Sequence, residues 1–565
     1  SHLTMVKLPM LSKIPTYIFV SGGVISGLGK GITTASIALL LKSSGYRVSV
    51  VKCENYLNFD AGLINPIEHG DPFLCEDGTE ADMDLGSYEK FLDQDVGRKN
   101  FVTMGQIYQT VIQRERNFGY KGEDVEAIPH VTDEIIGRIE MAGQEDRAHF
   151  VIIELGGTAG EYQNALYYEA ARIMRIARKL KTVHVHVSYL PTPPHIGEPK
   201  TKPTQLSVKQ LNSMGIQPDF IVARSERGMD LRRRERFALF CNVEEDHIIN
   251  APDVTSVYEV PLLFRKQRFD IMLLQKVGKK PRKARLTDWE RYVSDYQTPK
   301  SEKVKVGIVG KYFATGEYNL RDSYAALFDA LEHASVRLKI GLEIDWINSE
   351  KFENEQTERL ASLNGIIVPI GWGPRGVEGK IKAIKFAREN KVPYLGLCYG
   401  MQLAVVEFAR NVLKLTGAHT TEVDPQTSHP VIHMIPEQKR IIANRAYGGT
   451  MRLGAWECSL KKGTLFWEIY DKNKQFVNKG KGLTSERHRH RFEFNEKYVS
   501  MFEKAGMIIA GLSVEENLVE LIELPRSVHP FFAGTQGHPE YKSRPLRPHG
   551  VFISFLENAL AFSHS

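Results

Sequence analysis

Residues 16–33 read TYIFVSGGVISGLGKGIT, and the reading of this stretch decides the fold. Ile18, Phe19 and Val20 form the short apolar run of a buried strand, which stops at Gly22-Gly23. After Lys30 the run ITTASIALLLKSS places apolar residues at helical spacing and stops at Gly45. A strand, a glycine-rich turn carrying a lysine, and then a helix is the layout of a phosphate-binding loop. Glycines let the backbone curl so that N–H groups converge on an anion. The helix N-terminus adds its dipole and Lys30 a point charge. A strict Walker A motif ends Gly-Lys-Ser/Thr, with the hydroxyl on Mg2+, whereas here Gly31 follows Lys30. A metal would therefore have to be held from elsewhere. The alternative is a plain glycine-rich turn ahead of a core helix.

Outward from this unit, the first half alternates strand and helix signals. Val48–Val51 reads as a second strand, followed by Lys52. Phe150–Ile153 reads as a third, ending in Glu154 and Gly156-Gly157. Residues 183–187 and 220–222 give two more, and 162–180 reads as helix. Such alternation predicts a mainly parallel α/β sheet, in which ligands sit beyond the carboxyl ends of the strands. Lys30, Lys52, Glu154 and Arg224 all fall at such ends. Residues 77–86, DGTEADMDLG, read either as a solvated acidic loop or as the carboxylate source that a phosphate loop without its hydroxyl needs, Asp84 joining Glu154 on Mg2+. Residues 197–205, GEPKTKPTQ, set two lysines between prolines, a stiff cationic loop suited to a triphosphate or else an exposed turn. Residues 224–236 carry six arginines.

At 565 residues the chain has room for more than one domain. It is 42% hydrophobic and 25% charged with a net charge of +6, a balance that fits anionic small molecules and does not call for nucleic acid. Five cysteines without a CxxC pair argue against a disulfide framework or a zinc site and for a reducing compartment. No apolar run reaches membrane-span length and no signal peptide precedes Tyr17, so the expected location is cytoplasmic, with no membrane partner. Residues 1–14 form an N-terminal tail in which Ser1–Thr4, ahead of Met5, read as an expression remnant. The rhythm lapses over 276–302, where VGKKPRKARL precedes DWERYVSDYQTP, and this is read as an exposed, partly helical linker. It divides a first domain, 15–275, from a second, 303–565.

The second domain restarts the pattern with strands at 304–309, 343–347, 365–369 and 392–397. The last runs into Gly396-Leu397-Cys398-Tyr399-Gly400-Met401-Gln402. G-x-C-x-G is the thiol counterpart of a nucleophile elbow: small residues flank a side chain on a sharp strand-to-helix turn, near a helix N-terminus that favours a thiolate. Taken alone, the thiol would read as a structural core cysteine. Later, Thr535-Gln536-Gly537-His538-Pro539-Glu540 supplies a base and an orienting acid, one residue apart so that both project to the same side of a strand. Gly371, in PIGWG, could give an oxyanion-hole N–H together with Tyr399.

These stretches together resemble the CTP synthase family from about Tyr17 to the C-terminal helix. The resemblance is carried by SGGVISGLGKG, EHGDPF, DMDLGSYEKF, ELGGTAGE, GEPKTKPTQ, ALFCNV, GVEGK, GLCYGMQLAVVEFAR, GGTMRLG, ERHRHRFE and GHPE. The second half alone resembles a class I glutamine amidotransferase domain. The implied fold is α/β, with an N-terminal P-loop-like parallel-sheet synthetase domain and a C-terminal amidotransferase domain. The resemblance implies that Gly27, Leu28, Gly29, Lys30, Gly31 and Ile32 wrap the ATP phosphates with Lys52, that Asp84 and Glu154 hold Mg2+, with Asp84 also in the ATP site, and that Asp253 lies near the adenine. It assigns Ser26, Glu161, Tyr162, Gln163, Lys200, Lys202, Gln205 and Arg236 to UTP, or to CTP as product and feedback inhibitor. It makes Cys398 the nucleophile, His538 the base and Glu540 its orienter, with Gly371, Tyr399, Gln402, Glu422 and Arg491 gripping glutamine.

GTP as allosteric activator and a homotetramer are implied as well, and ammonia, which bulk water would protonate, is expected to travel inside the protein. Four positions depart from the family's usual pattern. GGTAGEYQ stands for GGTVGDIE, Arg236 for a frequent Lys, Ile370 for Gly, and Gly537 for a bulky aromatic. The first makes the inhibitor site unusual, and the last two bear on glutaminase efficiency. A second reading keeps the amidotransferase and changes the phosphorylated acceptor. GEPKTKPTQ argues against it. A third, a nucleotide-dependent scaffold, is opposed by the Cys398, His538 and Glu540 set.

Overall fold

The computed structural model describes residues 14–65, 72–193, 195, 197–311, 324–443 and 447–564. The N-terminal tail up to residue 13, and residues 68–71 of the EHGDPF motif, lie outside the described residues. The chain forms two compact units, residues 1–59 with 87–290 and residues 60–86 with 291–565. Among the described residues no helix is long and apolar enough to cross a membrane.

The first unit is built on a seven-stranded sheet. Its strands are β1 (Thr16–Gly23), β2 (Val48–Glu54), β3 (Phe101–Thr103), β4 (Phe150–Leu155), β5 (Thr182–Tyr189), β6 (Phe220–Ser225) and β7 (Ile248–Pro252). They lie in the order β3-β2-β4-β1-β5-β6-β7, and every pairing is parallel. Every residue of β1 and β4 is buried, which is why these strands read as unbroken apolar runs: helices cover both faces. The register sets Val20 and Lys52 both opposite Glu154, so that the charged ends of β2 and β4 meet beside the start of the phosphate loop. Helix Lys30–Ser43 follows the loop, with Gly45 at φ 85° just past its end, where a left-handed residue closes the last turn. The long helix expected over 162–180 is an α-helix, Ala165–Arg172, continued by a π turn, Ile173–Ala177.

The second unit holds a nine-stranded mixed sheet. Its strands are β8 (Lys303–Gly310), β9 (Gly341–Asn348), β10 (Gly365–Val368), β11 (Tyr394–Leu397), β12 (Arg452–Leu460), β13 (Leu483–His490), β14 (Ile508–Ser513), β15 (Val519–Glu523) and β16 (Phe532–Thr535). In the order β9-β8-β10-β11-β16-β15-β14-β12-β13, the first five are parallel and the rest antiparallel. Neighbouring β10, β11 and β16 end side by side in the segments carrying Gly371, Cys398 and His538. Convergence at adjacent carboxyl ends is what brings these distant residues together. A small sheet of His419–Thr420, Pro430–Met434 and Phe492–Phe494 supports Glu422 and Arg491.

Two features differ from the sequence reading. The stretch taken as an exposed linker is largely packed. Ala284, Leu286 and Trp289 are buried, the Trp289 Nε1–H donates to Tyr258 O at 2.7 Å, and Thr287–Gln297 is a helix. Its exposed basic residues masked an apolar face. The acidic stretch 77–86 is likewise not a solvated loop. Phe73–Leu74 and Glu80–Ala81 form a hairpin whose Phe73, Leu74 and Ala81 are fully buried and whose Glu80 is 2% exposed. Short segments with one apolar and one charged side give no periodicity to read.

Candidate active sites

In the first unit the glycines of the phosphate loop have separable reasons. Gly27 and Gly29 sit at φ 71° and 86°, left-handed values that favour glycine, with open space where a Cβ would point. Gly22 serves the lysine instead. A Cβ there would lie 2.8 Å from Lys30 Cδ, because the Lys30 side chain folds back along the strand end and donates from Nζ to Gly157 O at 2.5 Å. Ala159 N donates to Gly22 O at 2.8 Å, joining the loop after β4 to the loop after β1. Leu28 is buried, and Lys30 opens the helix that continues through Gly31 and Ile32.

Lys52 Nζ stands 2.7 Å from Glu154 Oε1 and 3.0 Å from Glu54 Oε1, and the Tyr88 hydroxyl donates to the other Glu154 oxygen. One ammonium against two carboxylates leaves this buried corner negative, with hard oxygen donors, a set that suits Mg2+. Tyr88 was not picked out from the sequence, where a tyrosine in a helix reads as core. Asp84 opens helix Met83–Leu92 and groups with the second unit, whereas Glu154 belongs to the first.

The expected cationic loop is only partly a loop. Lys202 begins helix Lys202–Ser213, with Pro203 in its first turn. Lys200, Thr201, Gln205, Arg233 and Arg236 line a cleft of about 560 Å3 with Glu198. Glu198 accepts from Lys200 at 2.6 Å and from Arg233 at 2.5 Å, holding both cations on the rim. Lys202 and Arg236 are exposed. Ser26 is exposed in the phosphate loop. Glu161 turns its carboxylate inward, accepting from Thr158 N at 2.8 Å and Asn55 Nδ2 at 3.2 Å, while Tyr162 and Gln163 are exposed. Asp253 Oδ1 accepts from Arg224 Nη2 at 3.0 Å.

In the second unit Cys398 has φ 51° and ψ −99°, a strained geometry for a residue with a Cβ, and it leads directly into helix Tyr399–Asn411. Cys398 N donates to Thr535 O at 2.7 Å, tying the elbow to β16. Small neighbours make the turn possible: a Cβ on Gly400 would lie 1.9 Å from Val368 O, and one on Gly396 2.7 Å from the Gly400 carbonyl carbon. His538 Nδ1 lies 2.6 Å from Glu540 Oε1, and both residues are buried. The pair forms as expected but for a different geometric reason. It stands beyond β16, at the entry to the 3-10 turn Pro539–Lys542, and not along a strand. Burial opposes a charged imidazole, but Glu540 and Cys398 outweigh it, and His538 is raised to about 10. The ring therefore carries its proton across the neutral range, as an imidazolium poised beside the sulfur.

Gln536 was quoted in the motif and given no role, yet its Nε2 donates to Cys398 Sγ at 3.5 Å. Its Oε1 accepts from Gln402 Nε2 at 3.1 Å, and Gln402 also donates to Phe492 O at 3.0 Å. On the other side, Gly373 N donates to Glu422 Oε1 at 2.7 Å and the Tyr399 hydroxyl donates to Gly373 O at 3.0 Å. Burial raises the Glu422 carboxyl. Lys380, fully buried on helix Val377–Glu389, lies 5.0 Å from the Tyr399 ring centroid, and a Cβ on Gly371 would come within 2.6 Å of its Nζ. Arg491 donates to Tyr447 O at 2.7 Å and Thr450 Oγ1 at 3.0 Å. The glycine at 537 is explained by crowding: a Cβ there would meet Glu486 Cβ at 2.8 Å and His488 Nε2 at 3.1 Å.

The strand β13 brings charge into the core beside the sulfur. Arg489 O faces Cys398 Sγ at 4.0 Å, and its guanidinium meets Glu80 at 2.6 Å with both side chains buried. Arg487 pairs with Glu76 at 2.8 Å. Removing one partner of a buried pair costs more than the pair is worth, roughly 3–5 kcal/mol. Glu80→Ala is therefore expected to destabilise the chain by about 3 kcal/mol in chemical unfolding and to slow glutamine hydrolysis. An unchanged midpoint would remove the pair from the support of the elbow.

Residues 16–278 match the family model of the CTP synthase N-terminus, and residues 319–558 match that of class I glutamine amidotransferases. A CTP synthase of Pyrococcus abyssi is 47% identical over 546 residues, covering 96% of this chain and 97% of its own length. That of Sulfolobus acidocaldarius is 46% identical over 547 residues, covering 96% and 99%. Among solved structures, the glutaminase domain of Trypanosoma brucei CTPS with bound acivicin is 32% identical, covering 45% of this chain and 93% of its own with a TM-score of 0.40.

Proposed function

The chain belongs to the CTP synthase family, ligases that use glutamine as amido donor, and from that premise we propose that it aminates UTP to CTP with ATP and with ammonia released from glutamine in its second unit. One observation carries this most: a strained Cys398 elbow with its His538–Glu540 pair stands in the same chain as a glycine-rich loop that folds Lys30 back over its own strand.

In the first unit the ATP γ-phosphoryl group passes to O4 of the uracil ring, converting a poor leaving oxygen into phosphate, with ADP released. Ammonia adds at C4, phosphate leaves, and a proton is lost to give CTP. Lys30 and the loop N–H groups neutralise charge on the moving phosphoryl group, and Lys52 offsets it from the neighbouring strand. Glu154, with Asp84 as the family resemblance assigns it, would hold Mg2+, which supplies further charge neutralisation on the phosphates when bound. Lys200, Lys202, Gln205, Arg236 and Ser26 are assigned to the UTP tail, and Asp253 to the adenine side.

In the second unit the Cys398 sulfur attacks the glutamine amide carbon, the oxyanion is met by the N–H groups of Gly371 and Tyr399, and His538 delivers its proton to the departing ammonia. Water then hydrolyses the thioester to glutamate. Glu540 holds the imidazole in place, and Glu422 and Arg491 address the amino and carboxylate groups of glutamine. GTP activation, CTP feedback, tetramer assembly and a cytoplasmic location belong to the same reading. Absorbance-detected CTP formation from UTP and ATP, with glutamine and with ammonium salt in turn, tests it. No CTP from either nitrogen source would overturn it.

The inhibitor side makes a narrower prediction. Glu161 is committed to Thr158 and Asn55, leaving Gln163 as the exposed residue able to meet a ligand. A carboxylate accepts charge-assisted hydrogen bonds worth about 1 kcal/mol more than those of an amide, or roughly fivefold in affinity. Gln163→Glu is expected to tighten CTP inhibition several-fold at fixed UTP. Superimposable inhibition curves would take Gln163 out of the inhibitor site.

A further inference from the structure

Below the phosphate loop runs a buried polar chain that the mechanism above does not use. Ser21 Oγ, on β1 just ahead of Gly22-Gly23, lies 2.8 Å from His184 Nε2 and 2.8 Å from His186 Nδ1. The far nitrogen of His186 lies 2.8 Å from Ser207 Oγ. One step along β5, Ser188 Oγ donates to Thr204 Oγ1 at 2.7 Å. Thr204 and Ser207 form the buried face of helix Lys202–Ser213, the helix that begins at the lysine assigned to UTP.

Proton counting gives the chain a direction. A serine hydroxyl has one proton, so Ser21 donates to one imidazole and accepts from the other. Whichever way it points, each histidine must offer one N–H and one bare nitrogen along the line, which only the neutral ring can do. Burial lowers both rings to about 3, so they stay neutral at any working pH. A second, independent feature marks the junction as built. A Cβ on Gly23 would stand 1.8 Å from Ser207 Oγ and 2.6 Å from His186 Nε2. The second glycine of the pair therefore serves this meeting of strand and helix, while the first makes room for Lys30.

We infer that His186 is a positioning residue that ties the strand launching the phosphate loop to the helix launching the UTP-side lysine, so that each nucleotide loop reports the placement of the other. This rests on the nucleotide assignment proposed above and adds to it a coupling through Ser21, His186 and Ser207. Because Ser21 lies on the ATP side, the coupling makes an unexpected demand: removing its hydroxyl must disturb UTP.

The experiment measures UTP and ATP saturation in ammonia-dependent CTP formation for Ser21→Ala, Ser207→Ala and the double variant, with thermal unfolding of each alongside. Each single substitution is expected to raise the UTP KM roughly three- to tenfold, the range of one lost hydrogen bond. The double variant should be no worse than either single, because a line already broken is not broken again. His186→Asn, which keeps a polar atom toward Ser21 and cannot reach Ser207, should behave like Ser207→Ala. The inference falls if Ser21→Ala moves only the ATP requirement, if the two serine effects multiply, or if the variants lose thermal stability with both saturation curves unmoved. A parent protein that makes no CTP from UTP, ATP and ammonium would instead sink the nucleotide assignment, and the inference with it.

Discussion

Cys398→Ala is expected to abolish glutamine-dependent CTP formation and to leave ammonia-dependent formation near the parental rate. Thiolate chemistry stands upstream of ammonia and nowhere else in the scheme. Loss of a covalent nucleophile in a preorganised site costs on the order of 10,000-fold or more in turnover, since base and oxyanion donors act only through it. The substitution should not disturb folding. The strain at φ 51° and ψ −99° is held by the backbone bond to Thr535 and by the tight contacts of Gly396 and Gly400, none of which involves the sulfur. Alanine keeps the Cβ and therefore the same strain. The hydrogen bond lost is the one from Gln536, whose amide still has Gln402 as partner. Two assays on one preparation decide the matter. Loss of both activities in a protein with parental unfolding behaviour would show that Cys398 serves the synthetase reaction as well, and the division of labour between the units would fail.

The chemistry of Cys398, His538 and Glu540 was legible because each residue type sits in a short motif whose neighbours make sense only around it. Placing them side by side needed only the rule that parallel strands end together. The inference that His538 and Glu540 share a strand face was wrong in mechanism and right in outcome, since a proline-led 3-10 turn also brings the two side chains together. What stayed hidden depends on partners far away in sequence. Arg489 meets Glu80 across 409 positions, and Ser21 meets His186 across 165. A buried strand normally announces itself by apolar alternation, but β13 reads LTSERHRH, and its charges are compensated by Glu76 and Glu80 from a hairpin that no local pattern assigns to the second unit. The parallel first sheet was read almost strand by strand because its strands are buried on both faces. The antiparallel half of the second, laced with charge, was not.

Lys30→Ala is expected to remove CTP formation with either nitrogen source while leaving Cys398 open to alkylation by a glutamine analogue. The contrast with Cys398→Ala is the point: one lesion spares ammonia use and the other does not. Phosphoryl transfer leaves little covalent work to the protein, so the loss is one of charge neutralisation at the transferring group, roughly 3–4 kcal/mol by analogy with an oxyanion donor, or a few hundredfold in rate. The structure adds a reason for the size of the effect. Lys30 Nζ is held at Gly157 O, and Gly22 gives up its Cβ to let the side chain lie there. Alanine would leave that carbonyl without this donor and the channel above Gly22 empty, so the loop after β4 loses its tether to the loop after β1 as well as its charge. Lys30→Arg separates the two contributions. It restores the positive charge, but a planar guanidinium is too wide for a space shaped by the absence of one Cβ. If charge alone mattered, arginine would recover most of the ammonia-dependent rate. The close fit over Gly22 predicts that it recovers little, and full recovery would reduce the role of that glycine to the turn itself.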